Sequence, residues 1–219
     1  MKLPLLSIIL TTGLFSASAE SFVTNIADQL RIQQALPKKA LAQPLKPRRL
    51  LIFTLNVAYG GHTSIAYANE AFTLMGKSTG AFGTVVTDDP AVFEAGSLKT
   101  FDAVFFNNTV GNCFTNPVWR KNLLEFVIGG GGLMGVHGTT VAFMNWPDVT
   151  EDWPEFGYLI GARGANHKDN NEHVWMKLDD AGSPITRMFS PQGFDYRDEF
   201  FRPQGTYSRN RVRVLLSMR

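Results

Sequence analysis

An α/β domain built on a parallel sheet is predicted by three features of this 219-residue chain. Short apolar runs alternate with longer helix-compatible stretches. The runs Leu50–Leu55 and Phe101–Phe106 are almost continuously apolar, as strands covered on both faces are. Two of the predicted strands also run into histidine-bearing loops, and in such sheets ligands gather at the carboxyl ends of strands.

The elements follow in order. Leu50–Leu55 is the first strand, and the loop 57–63 carries His62. Ser64 is expected to cap a helix running to about Ser78. Thr84–Thr87 is a second strand, closed by Asp88-Asp89-Pro90, and Phe101–Phe106 is the third. Pro117 suits the first turn of a helix that continues through Ile128. A glycine turn at 129–132 then leads into a fourth strand ending at His137. Beyond it, Trp153–Ile160 reads as a short helix, Glu172–Leu178 alternates as a strand, and Arg211–Leu216 is a final strand. The residues from Arg48 onward are enough for one well-buried domain.

The segments before Arg48 differ in composition. Lys2, the apolar stretch Leu3–Phe15 and Ala17-Ser18-Ala19 form a signal peptide pattern over residues 1–19, which predicts export, periplasmic or secreted, from a bacterium. That apolar stretch is short for a membrane span. Residues 20–47 hold a helix-compatible stretch, Asn25–Leu36, and a linker containing Pro37, Pro44 and Pro47. The single Cys113 forbids an intramolecular disulfide and is expected to be a structural thiol. Residues 20–49 carry six basic and two acidic residues, and residues 50–219 carry fourteen basic and seventeen acidic. The folded part is therefore mildly acidic, which excludes the footprint of a nucleic-acid binder. Gly129–Gly132 precedes a strand and lacks the lysine of a phosphate loop, so no nucleotide is expected.

The stretch Gly129–Thr140 carries the chemistry. A glycine turn, a short strand and a sharp corner describe the elbow that presents a nucleophile above the sheet of α/β hydrolytic folds. The presented residue is His137, which binds metal or moves protons but does not start the usual acyl-enzyme route. A working glutamine amidotransferase, which needs a thiol there, is excluded.

Residues 48–219 resemble a ThuA-like (trehalose-utilisation) domain of the class I glutamine amidotransferase-like superfamily. The resemblance rests on Arg49–Thr54 followed by Gly61-His62-Thr63-Ser64-Ile65, on Asp88–Phe93, and on Phe101–Asn108. It continues through Gly130–His137, Trp153–Ala162 and Asp198-Glu199. It implies a flavodoxin-like three-layer sandwich with a mostly parallel sheet, and a ligand that is a small-molecule carbohydrate or keto-sugar. It also implies that His62, His137, His167 and the pair Asp198-Glu199 form the site. Lys168 stands where the family usually has proline, Val141 where it has an acidic residue, and Ser183-Pro184 where it has histidine-proline. Family members also continue beyond the position of Arg219, so a C-terminal truncation is expected.

Two mechanisms suit these groups. In the first, His62, His137, His167 and Glu199 hold a divalent metal, zinc foremost. In the second, His137 is a metal-free acid/base beside a sugar carbonyl, with Asp198 or Glu199 orienting a histidine. Arg163 and Trp153 are candidate substrate-binding residues, by clamping and stacking respectively, and Trp146 and Phe156 are further stacking candidates. His173 is expected to be structural or exposed. The alternative to an enzyme acting on sugars as hydrolase or lyase is a non-catalytic carbohydrate-binding or sensing module.

Overall fold

The computed structural model describes residues 24–145, 151–164, 166–204 and 207–219. The signal peptide pattern and Trp146 lie outside the described residues. Four parallel strands form the central sheet: β1 (Arg49–Phe53), β2 (Gly83–Thr87), β3 (Ala103–Asn107) and β4 (Gly132–Val136). Their order, β2-β1-β3-β4, is that of flavodoxin-like doubly wound sheets, as predicted. The helices are α1 (Ile26–Ala35), α2 (Ser64–Thr79), α3 (Ala95–Leu98), α4 (Pro117–Ile128) and α5 (Pro154–Ile160). A second, antiparallel sheet is ordered β6-β5-β7, from β5 (Glu172–Leu178), β6 (Phe194–Asp198) and β7 (Leu216–Met218).

Strand alternation gives the parallel sheet two unequal cores. Leu51 and Phe53 of β1 and Val104 and Phe106 of β3 face the larger one, with Phe93, Leu98, Leu123 and an aromatic group of Phe114, Phe143, Trp153 and Phe156. Their neighbours Leu50, Ile52 and Phe105 face a smaller core with Phe72 and Phe82. Phe53, Phe93 and Phe106 meet with ring centroids 5.0–5.8 Å apart, the spacing at which aromatic pairs attract.

Three details differ from the sequence reading. The cap of α2 is Thr63 and not Ser64, and Thr63 makes no capping hydrogen bond through its side chain. The last strand begins at Leu216, because Arg211 and Val212 close a turn on Ser208. The run Phe194–Asp198, to which the sequence reading assigns no element, is a strand paired with β5. Its polar residues Asp195, Tyr196 and Arg197 are exposed, so apolar periodicity did not mark it. Helix α1 packs on α2: the Tyr67 hydroxyl donates to Asp28 Oδ2 at 3.1 Å, and the Thr24 hydroxyl donates to the buried Glu70. No described helix is long and apolar enough to cross a membrane.

One carboxylate closes the amino-terminal end of the sheet. Asp102 Oδ2 accepts the Arg49 N–H at 2.9 Å, and Oδ1 meets Arg48 Nη1 at 2.9 Å and Lys46 Nζ at 2.8 Å. Its carbonyl accepts the Gly132 N–H, so β1, β3 and β4 start from one clamp. These donors hold the Asp102 carboxyl well below its ordinary value of 3.8. A depressed carboxylate stabilises the fold above its unfolded value, and that stability is lost as the pH falls toward the folded value. Acid unfolding curves should therefore show stability declining below about pH 4 in the native protein. Asp102→Asn should lower stability by about 1–2 kcal/mol near neutrality and flatten that decline.

Candidate functional site

The carboxyl ends of β1, β3 and β4 form a strained rim. Four non-glycine residues with left-handed backbone stand beyond them: Ala58 (φ 58°), Asn108 (57°), His137 (48°) and Phe143 (55°). Such residues cost about 1–3 kcal/mol each and cluster where function requires them. At His137 the left-handed turn lets β4 break into the short 3₁₀ turn His137–Val141, with the imidazole at the corner. Asn108 Oδ1 accepts the Gly138 N–H at 2.9 Å, the Thr139 hydroxyl donates to the Phe106 carbonyl at 2.8 Å, and the Thr140 hydroxyl donates to the His137 carbonyl at 3.0 Å. A Cβ on Gly138 would lie 2.5 Å from Asn108 Oδ1 and 2.7 Å from Val110, so only glycine fits beneath the corner.

Glu199 arrives from the other sheet, just past β6. The strip that follows it is held to the rim by Gln204, which exchanges backbone hydrogen bonds with Arg163. Glu199 Oε2 lies 3.2 Å from His137 Nε2, and Oε1 lies 2.9 Å from His167 Nε2. Glu199 thus stands at ion-pair distance from both imidazoles. The Phe201 ring packs against both imidazoles, at 5.0 Å from His137 and 5.6 Å from His167. The His62 ring is 5.0 Å from that of His137, and its Nε2 is 3.0 Å from the Tyr59 hydroxyl.

These residues enclose a cavity of about 590 Å³. Its lining includes Tyr59, His62, His137, His167, Glu199 and Phe201, with amides from Asn145, Asn166, Asn170 and Gln204. Among the described lining residues Glu199 is the one carboxylate, and no lysine or arginine contributes. Donor atoms from His62, His137 and Glu199 lie within 4.8 Å of one another. Two imidazoles and a carboxylate with open space beside them suit a catalytic divalent ion. Of the expected set His62, His137, His167 and Glu199, three converge in this group, and His167 stands outside it, 2.9 Å from Glu199.

Other expected site residues lie elsewhere. The carboxylate pair is separated where β6 ends. While Glu199 turns into the cavity, Asp198 is exposed and accepts the Glu199 N–H at 2.8 Å. It also faces Tyr196, whose phenol is held above its ordinary range by burial and by the Asp198 charge. Arg163 does not clamp a ligand: its guanidinium is engaged by both oxygens of Asp152 and by the Phe143 carbonyl. Trp153 is not a stacking platform either. It is 5% exposed, packed among Phe114, Phe143 and Phe156, with the Arg120 guanidinium over its ring. Phe156 is likewise core. His173 is exposed and pairs with Asp195 at 2.8 Å. Cys113 is buried, and burial pushes its thiol up to about 12.

Sequence reasoning did not single out Tyr59, Asn108 or Phe201. Tyr59 shares the glycine-flanked loop of His62, and Asn108 ends the third strand, so both held positions where ligand groups collect. Phe201 carried no such signal.

A doubly wound parallel sheet with a histidine at the elbow position defines a protein of the amidotransferase-like fold without a thiol at that position. The chain belongs to the ThuA family, trehalose utilisation, whose model matches residues 49–219. That membership connects it to sugar use at a coarse level. Among solved structures it is similar to a ThuA-like protein from Bacteroides uniformis ATCC 8492, with 20% identity and a TM-score of 0.60, covering 82% of this chain and 72% of that one. That likeness is one of fold. No curated protein matches.

Two stability outcomes follow from this local structure. Gly138→Ala should cost about 1–3 kcal/mol in denaturant unfolding, because its methyl displaces Asn108 or Val110. Cys113 should react with a thiol reagent only at the rate of unfolding, and rapid modification of the native protein would contradict its burial.

Proposed function

We propose that this chain is an exported ThuA-like protein that acts on an uncharged carbohydrate, most suitably a keto-sugar, by metal-assisted or histidine acid/base chemistry. The convergence of His62, His137 and Glu199 at one cavity carries the reading. Export rests on the pattern at residues 1–19.

The cavity volume of about 590 Å³ lies within the range of about 300–1,000 Å³ usual for small-molecule sites. Side-chain amides at 145, 166, 170 and 204 suit hydroxyl groups, which both donate and accept. Nearby cations are committed elsewhere: Arg202 pairs with both oxygens of Glu172, and Arg163 with Asp152. The neighbouring stretches 146–150 and 205–206 contain no lysine or arginine. An anionic ligand therefore finds Glu199 and no side-chain cation to offset it.

His62, His137 and Glu199 are the residues that would hold a divalent ion, with zinc the best match to this donor set. Such an ion, when bound, polarises a carbonyl or acidifies water. Glu199 lies 3.2 Å from His137 and 2.9 Å from His167, and so sets a carboxylate beside both imidazoles. In the metal-free version the His137 imidazole takes a proton from the carbon beside a sugar carbonyl. Acyl transfer is disfavoured by more than the missing thiol. The N–H after the elbow residue, which in hydrolases helps bind an oxyanion, is engaged here by Asn108. A purely binding role is the second reading, favoured by Val141 lining the cavity where the family carries an acid.

Equilibrium dialysis against zinc should give near-stoichiometric binding that is lost in His137→Ala and Glu199→Gln and retained in His173→Ala. Absence of zinc from the native protein would remove the metal version. Calorimetric titration with trehalose and with its 6-phosphate should favour the neutral sugar by about tenfold, the effect of about 1.4 kcal/mol. Failure to bind any neutral sugar or keto-sugar would overturn the proposal.

A further inference from the structure

We infer that Tyr59 is the acid of this site: its phenol, backed by His62, protonates the sugar carbonyl oxygen while His137 works on the adjacent carbon. The inference rests on the keto-sugar reading and extends it by assigning the second proton-transfer group.

Abstraction of a proton beside a carbonyl needs a base at carbon and an acid at oxygen. His137, which lines the cavity beside the Glu199 carboxylate, supplies the first. The acid must be a hydroxyl or N–H that opens on the same cavity. Tyr59 lines that cavity, and its hydroxyl lies 3.0 Å from His62 Nε2. The two rings meet at 5.5 Å, and the His62 ring is 5.0 Å from that of His137. The left-handed turn at Ala58 (φ 58°) and Gly61 (φ 74°) fold this loop so that residue 59 returns onto residue 62. An exposed tyrosine at a loop tip needs no such partner. The cavity thus holds two separate pairs, Tyr59–His62 and His137–Glu199, one for each end of the reacting C–C=O unit.

The step balances without a co-reactant. The His137 imidazole takes the proton from carbon, and the C–H electron pair becomes the new C=C bond. The carbonyl π pair moves to oxygen, which takes the Tyr59 proton, and the phenolate accepts a hydrogen bond from His62 Nε2–H. In the return half, Tyr59 regains the hydroxyl proton as the carbonyl re-forms and His137 delivers its proton to carbon.

The test uses the full chain in D₂O with a methyl 3-ketoglucoside, following by NMR the exchange of hydrogens beside the carbonyl. The native protein should accelerate exchange. Tyr59→Phe, which keeps the ring, should slow it by about 100-fold or more, the scale of acid–base contributions. Zinc and sugar affinity and the unfolding midpoint should be unchanged, a pattern that a merely structural tyrosine does not produce. Exchange by Tyr59→Phe at the native rate overturns the assignment and leaves the keto-sugar reading intact. Native protein that binds the sugar without exchanging it also overturns the assignment, and points to the binding module. Native protein that neither binds nor exchanges overturns both.

Discussion

The left-handed corner at His137 is the constraint on which this site depends. A residue with a Cβ pays about 1–2 kcal/mol to adopt that backbone. Here the corner is held by the Asn108 bond to Gly138, by Thr139 on the Phe106 carbonyl and by Thr140 on the His137 carbonyl. Each of these bonds ties the turn to β3 or closes it on itself. The imidazole is thereby placed by the sheet and not by a mobile loop. Asn108 has a second consequence: it satisfies the backbone donor that a nucleophile elbow would aim at substrate.

The electrostatics of the cavity follow from what is missing at its walls as much as from what is present. Glu199 sits between two imidazoles, 3.2 Å from His137 and 2.9 Å from His167, and the arginines around the rim are engaged by other carboxylates. A neutral, hydroxyl-rich ligand meets amides and an aromatic ring without desolvating a buried ion pair. An anion meets a carboxylate. This asymmetry, together with membership of the trehalose-utilisation family, supports a sugar over a phosphorylated metabolite.

The two ends of the parallel sheet divide stability from chemistry. At the amino-terminal end Asp102 gathers Lys46, Arg48 and the Arg49 N–H into a clamp that sets where three strands begin. At the carboxyl-terminal end four non-glycine residues tolerate left-handed backbone around the cavity. The aromatic core between them, centred on Phe53, Phe106 and Phe143, is what sustains that strain.

Much of this was legible in the sequence, for a physical reason. Strands buried on both faces must be continuously apolar, so β1 and β3 announce themselves, and a glycine turn before a strand ending in histidine marks the elbow. Local pattern also indicated that His62 and His137 share one rim, since parallel strands end on the same side. What local pattern does not carry is side-chain direction over long separations. Asp198 and Glu199 are adjacent in sequence, yet Asp198 ends β6 exposed while Glu199, just past it, lines the cavity. Arg163 and Trp153 have the residue types of a sugar site, but Asp152 and the aromatic core claim them. Residue types and spacing determined the sheet, the elbow and the shortlist of ligands. Only the return of the strip after β6 to the rim decided which of them meet, because Glu199 reaches His137 and His167 from 62 and 32 positions away.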